Sequence, residues 1–432
     1  MKLTTFGLVL CVSASAFAAA PTISNVSISQ AADVRNVTIS YDLDTDAYVT
    51  LELRTGDSPL APAAYGGLGG NVNRLVAAGT GRQIVWRPDR VAVPIDLATV
   101  KPVLTAWHKD VPPTYMVVDL QGGVVTYHAS TNEIPYGIAN KMYKTTHLVL
   151  AKVPAAGRTW LVGSSPFDSA TEQGTPEREI QHLVTFTNDF YMGIYEFTGG
   201  QWMQFMSSNP SNHPFDDKDV CPLEHSNYDT VRGNAYTAAP AASSLIGLLR
   251  KRTGLAIDLP RHAQWEVAAR AGCTGLVNVP GVTLDDVAWT LSNYKRDPKF
   301  ASGEYTGNNN CTHEVGLLMP NAFGLYDMQG NVLEIGSDKI YYQSREVFLA
   351  SLGLTEETVR TTPVVEQATD ASSIIVGGTT YKPSQTCGRW GGGYREAAGK
   401  YQSCSRWASY SFDVDTGFRV MCPVVNGGRL AE

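Results

Sequence analysis

Between Pro21 and about Trp107, apolar and polar residues alternate in short runs. TISNVSISQ, NVTISYDLD, AYVTLELRT, GRQIVWRP and VKPVLTAW each follow a two-residue period, and clusters of Asp, Gly and Pro separate them. That period predicts half-buried strands, and short strands at this spacing predict a small all-β sandwich of immunoglobulin or fibronectin type over 21–108. Trp86 and Trp107 are its expected core aromatics. The stretch KDVPPTYMVVDLQGGVVTYHASTNE opens a connector, placed at 109–146, whose alternation predicts a strand or two packing on either neighbour.

From 147 to 424 the pattern is mixed. LVLAKVPAAGRTWLVGS and HLVTFTNDFYMGIYEF predict strands on either side of a polar loop, DSATEQGTPEREI. Thr198 followed by Gln201 is a capping box that opens a short helix with Trp202, Phe205 and Met206 on one face. SSLIGLLRKR predicts a second helix with Leu245, Leu248 and Leu249 inward and Gly254 as its stop. HAQWEVAARAG predicts a third, with Trp265, Ala268 and Ala269 at helical spacing. Beyond it runs a long Gly/Asn/Trp/Tyr-rich region. Within a folded domain such a region needs metal ions or disulfides to hold it.

Composition narrows the class. Hydrophobic content is 43% and charged content 17% over 432 residues, which fits a folded chain of two or three domains. A net charge of -7 without any basic stripe excludes a phosphate-backbone partner, so no nucleic acid is expected. Lys2, the apolar run Phe6–Val12 and Ala16-Phe17-Ala18 form a signal peptide over 1–18, and no later run is long enough to span a membrane. The expected location is therefore secreted, periplasmic or extracellular. In that oxidising setting Cys221, Cys273, Cys311, Cys387, Cys404 and Cys422 favour disulfides, with the pairing left open.

Four segments, FYMGIYEFTGGQWMQFM, LPRHAQWEVAARAG, MPNAFGLYDMQGNVLE and the closing GGGY…TGFRVM, resemble the sulfatase-modifying-factor family, which includes formylglycine-generating enzyme. They stand in that family's order across the second unit. The resemblance implies an α+β fold, a variant of the C-type lectin fold with little regular structure. It also implies a structural calcium ion held by the Asp327 and Glu334 side chains and the Gly330 and Val332 carbonyls. Carboxylates and carbonyls on a flexible loop are the ligands calcium takes. Asn293 and the Tyr294 carbonyl match part of a second calcium site, whose acidic partner is replaced by Gly307-Asn308-Asn309-Asn310. A disulfide between Cys273 and Cys404 is implied in the same way.

Family enzymes hold copper through two cysteines in the loop after a Gly-Gly-Ser-aromatic motif and oxidise a sulfatase cysteine to formylglycine. Here Gly391-Gly392-Gly393-Tyr394 is followed by REAAGKYQSCSRW, and Glu396 and Tyr401 fall where those cysteines belong. Copper is not expected. Two functions follow. The favoured one is a calcium-stabilised binding or scaffold module, whose peptide, protein or glycan ligand meets Trp390, Tyr394, Trp407 and Tyr410. The other is an oxidase with rearranged cysteines acting on a protein cysteine.

Overall fold

A computed structural model describes residues 19–30, 35–88, 95–163, 182–212, 217–233, 239–275, 277–293, 312–339, 364–366, 387–394, 407–409 and 415–424. The expected signal segment, the polar loop before His182, Tyr294, Glu396, Tyr401, Cys404 and Tyr410 lie outside these residues.

The two-residue period of the first unit folds as read. Its strands are β1 (Ile23–Ser29), β2 (Val37–Leu43), β3 (Ala47–Thr55), β4 (Ser58–Pro59), β5 (Gly69–Gly70), β6 (Arg74–Val76), β7 (Gly79–Trp86) and β8 (Val100–His108). One sheet runs β1-β2-β7-β5, and in the other β3 pairs with β8, β4 and β6. Alternate residues of β2 and β3, from Val37 to Leu43 and from Ala47 to Leu53, turn inward around a fully buried Trp86. Its indole N–H donates to Ala64 O at 2.9 Å. Each Val, Leu or Ile side chain buried this way contributes about 1.5–3 kcal/mol.

Trp107 departs from the expectation. It pairs across the strands with Tyr48, on the opposite face from Val49 and Leu51, and donates to Thr50 Oγ1 at 3.0 Å. It is half-buried against the core of the second unit, where Tyr48 also packs. The period of two places it outside the sandwich and makes it a docking residue.

The second unit contains β9 (Tyr115–Asp119), β10 (Val125–His128), β11 (His147–Val153), β12 (Thr159–Val162), β13 (His182–Phe186) and β14 (Phe190–Gly193). Helices α1 (Gly199–Trp202), α2 (Tyr228–Val231), α3 (Leu245–Thr253) and α4 (His262–Arg270) follow. Then come β15 (Leu333–Lys339), β16 (Val364–Glu366), β17 (Cys387–Trp390), β18 (Trp407–Ser409), β19 (Thr416–Gly417) and β20 (Met421–Pro423). The sheets run β10-β9-β11-β14-β20, β12-β13-β16 and β18-β17-β15-β19. The fold is mixed, rich in strands and poor in helix.

The connector is part of this unit. Its β9 lies inside the five-stranded sheet, with Met116 and Val118 fully buried. The two units meet through Tyr48 and Tyr127, whose rings are 4.5 Å apart, and through Tyr127 N donating to Asn73 O.

The helices follow their local signals. The Thr198–Gln201 capping box forms, and Trp202 is buried. In α3, Ser244 caps the start and Gly254 ends it with φ +69°, a left-handed conformation that glycine takes without strain. Ile246 is buried beside Leu245 and Leu249, whereas Leu248 is only partly covered at the margin of the stripe. Helix α4 buries every residue from His262 to Ala269. No described helix is long and apolar enough to cross a membrane.

Candidate functional site

The segment from Asn321 to Asp338 wraps the end of α4. Asn321 donates to Ala268 O and Ala269 O and accepts from Phe323 N and Leu325 N, so one amide side chain ties the turn to the helix. Asp327, Gly330 and Asn331 then take left-handed conformations, with φ of +53°, +82° and +56°. At Gly330 a Cβ would run into Trp289 O, so the position admits no side chain.

This winding delivers a buried polar cluster. Glu334, at the start of β15, accepts from Trp265 Nε1 at 2.7 Å and from Arg419 Nε at 2.7 and 2.8 Å. Arg419 Nη2 adds a contact at 2.5 Å, and the same guanidinium reaches Gly193 O and Tyr326 O at 3.0 Å. Both partners are essentially without solvent exposure. Glu196, just after β14, accepts from Asn331 Nδ2 at 2.7 Å and from Val332 N at 3.1 Å. Asn331 also accepts from His313 N, and the His313 ring stacks on Trp289 at 4.0 Å.

Asp327 completes the group. Its Oδ2 accepts from Gly316 N at 2.7 Å, and its Oδ1 is buried with no hydrogen-bond partner. Burial raises its pKa to about 6, against the lowering pull of Gly316 N–H and Arg419. Burial, together with the charges of Asp327 and Glu334, drives the Glu196 carboxyl well above the usual range. Three carboxylates thus face one guanidinium, leaving two negative charges in an apolar setting when all are ionised. Such an excess is costly unless protons or a cation remove it.

The fit to calcium is divided. The unpartnered Asp327 Oδ1 suits a hard divalent cation, although no three acidic, His or Cys side chains among the described residues are grouped to hold one. Glu334 is different, since both its oxygens are already engaged by Arg419 and Trp265. Asn293, read as a ligand of a second site, is buried and spent on its own turn. Its Oδ1 accepts from Thr290 N and its Nδ2 donates to Ala288 O, both at 2.7 Å.

Of the four residues expected at the ligand surface two are buried, and Tyr410 and the Trp407 side chain lie outside the described residues. Trp390 is fully buried beside Trp265, with ring centroids 6.0 Å apart, and beside His262 at 5.4 Å. Tyr394 is buried as well. Trp390, at the end of β17, is covered by α4, and Tyr394 N donates to Asn331 O at 2.9 Å. An open cleft of about 420 Å³ lies elsewhere, lined by Asp285, Asp286, Leu317, Met319 and Tyr326. Leu317 and Met319 are each about half exposed.

No disulfide forms among the described residues. Cys273 is a thiol, part-buried, donating to Val277 O at 3.2 Å. Cys221 and Cys422 are buried thiols, and burial pushes the Cys422 pKa up to about 12. A thiol held protonated at neutral pH is a poor ligand for a soft metal.

Trp265, Glu196 and Arg419 were not singled out by sequence reasoning as site residues. The signal was present, because each lies within one of the four quoted motifs, and the motifs converge on this cluster. Residues 161–422, more than half of the chain, match the model of the sulfatase-modifying factor enzyme 1-like domain. The chain belongs to that family. It is also 28% identical over 173 residues to a protein of Paenibacillus barcinonensis named chaperone protein LppX, a match that takes in 34% of this chain. The chain spans 61% of that relative's length. Among solved structures, Treponema denticola variable protein 1 is similar with a TM-score of 0.44, 18% identity, and coverage of 66% of this chain and 97% of the other. PvdO from Pseudomonas aeruginosa is similar with a TM-score of 0.43, 21% identity, and coverage of 63% and 93%.

Proposed function

We propose that this protein is a secreted, calcium-stabilised binding or scaffold member of the family, without its oxidase chemistry. One observation carries the reading. The buried frame of the four motifs is complete, from Glu334 and Arg419 to Glu196 and Asn331, while Glu396 and Tyr401 stand in the sequence where the redox cysteines belong. A protein that keeps the frame and loses the thiolates keeps a surface, not a copper site. The match to a protein named a chaperone favours binding over turnover.

The second unit is then a variant of the C-type lectin fold, and the first an immunoglobulin-like module that docks on it. A peptide, protein or glycan ligand would meet the cleft beside Tyr326, where Leu317 and Met319 offer apolar contact. Export predicts a mature chain starting at Ala19, read by intact mass. Calcium would bind at Asp327, whose partnerless oxygen supports it, with the Gly330 and Val332 carbonyls, while Glu334 stays with Arg419 and Trp265. A chelator should then lower the melting temperature by several degrees and added calcium restore it. An unmoved melt with and without chelator would remove calcium from the account.

The competing reading is the oxidase with rearranged cysteines. To separate the two, the purified protein is incubated with copper, oxygen and a Cys-x-Pro-x-Arg peptide, and the peptide mass is followed. The binding reading predicts unchanged peptide. Conversion to the aldehyde, lost in Cys404→Ser, would restore the enzyme.

A further inference from the structure

The joint between the two units holds a buried carboxylate. Two short turns meet there, Pro62–Tyr65 from the first unit and Thr131–Glu133 from the second. Just beyond the second turn Tyr136 N donates to Pro62 O at 3.1 Å, and a Cβ on Gly66 would strike the Tyr136 hydroxyl, so the segments lie in contact. Tyr127 N donates to Asn73 O at 2.8 Å in the same joint. Glu133 ends its turn here, 4% exposed. Its Oε2 accepts from Ala129 N at 2.9 Å, and no cation among the described residues offsets its charge.

The groups around it do not supply one. Glu52 of β3 lies within electrostatic reach and repels it. Arg54 of β3 is spent on Glu52, with Nε donating to Oε2 at 2.6 Å. The Tyr65 hydroxyl accepts from Leu53 N at 3.0 Å, and burial pushes its pKa up to about 12, so it stays neutral. On the other side, His128 of β10 has Nε2 3.0 Å from Thr126 Oγ1, and burial lowers its pKa to about 4, so it carries no charge at neutral pH. An ion buried without a partner gives up its charge where it can. Burial, opposed by Ala129 N–H and aided by Glu52, raises the Glu133 pKa to about 7.

We propose that Glu133 makes this joint proton-operated, with the units held tightly while its carboxyl keeps the proton and loosened once it ionises. Exposed to water the carboxyl titrates near 4.5, and in the closed joint near 7. Below about 4.5 the closed and open forms both carry the proton, and the joint is at full strength. From there to about 7 only the open form gives the proton up, so closure weakens, and above 7 the loss is complete. His128 acts in the opposite sense, since opening lets it protonate, and its effect fades above about pH 6.5. An uncharged isostere of Glu133, compared at a single pH, cancels the His128 contribution. Loosening uncovers the packed rings of Tyr48 and Tyr127.

Amide exchange of the full chain reads the joint directly, because the Tyr127 and Tyr136 N–H groups donate to acceptors in the other unit. With intrinsic rates divided out, Glu133→Gln should raise protection at both amides by about tenfold or more at pH 8 and leave it unchanged at pH 4. Glu52→Gln removes the facing charge, keeps Glu133 and should give a smaller gain at pH 8. Amides of β11 should hold their protection in every case. A gain equal at the two pH values would assign Glu133 to packing alone and overturn the proposal. So would a gain shared in full by β11, or no gain in either variant.

Discussion

Arg419 holds the second unit together at a point where no water can help it. Its guanidinium is fully buried and is satisfied by Glu334 and by carbonyls from two other segments. Removing one member of such a pair leaves the other charge stranded, which costs far more than the pair itself contributes. Arg419→Met should therefore lower unfolding stability by about 3–5 kcal/mol in urea titration, and Arg419→Met with Glu334→Leu should recover part of the loss. A single substitution costing under about 1 kcal/mol would show that the cluster is not the anchor described. At this scale the sequence was half legible. Asp327 and Glu334 are legible through the motif MPNAFGLYDMQGNVLE that carries the family resemblance. The partner was hidden, because Arg419 lies 85 residues on from Glu334 and no local pattern joins them.

Elements with strong local signals were legible. The period of two drew the strands of the sandwich, and Thr198 and Gly254 marked helix ends through side-chain and backbone chemistry that acts over a few residues. The connector was less so, since its alternation fits a strand on either neighbour. The structure shows β9 inside the central sheet of the second unit, hydrogen-bonded to both β10 and β11. A chain beginning at residue 109 should thus melt cooperatively, whereas one beginning at 147 should expose Leu148 and Leu150 and fail to do so. Circular dichroism melts of the two decide the matter. A cooperative transition in the shorter chain would make the connector dispensable. Trp390 and Tyr394 teach the opposite lesson, because aromatic and glycine-rich composition marks a binding surface and a loop-rich core alike, and only packing tells them apart.

The whole molecule is a β-sandwich resting on a family domain through Tyr48, Trp107 and Tyr127. Four sequence motifs meet in one buried ionic frame there, and Cys221 and Cys422 are buried thiols. The most direct measurement of this separation between frame and chemistry is a copper(I) titration of the full reduced chain against a chromophoric chelator. The account predicts that the chelator keeps the metal. One equivalent of copper taken from it, and given back in Cys404→Ser, would contradict the account.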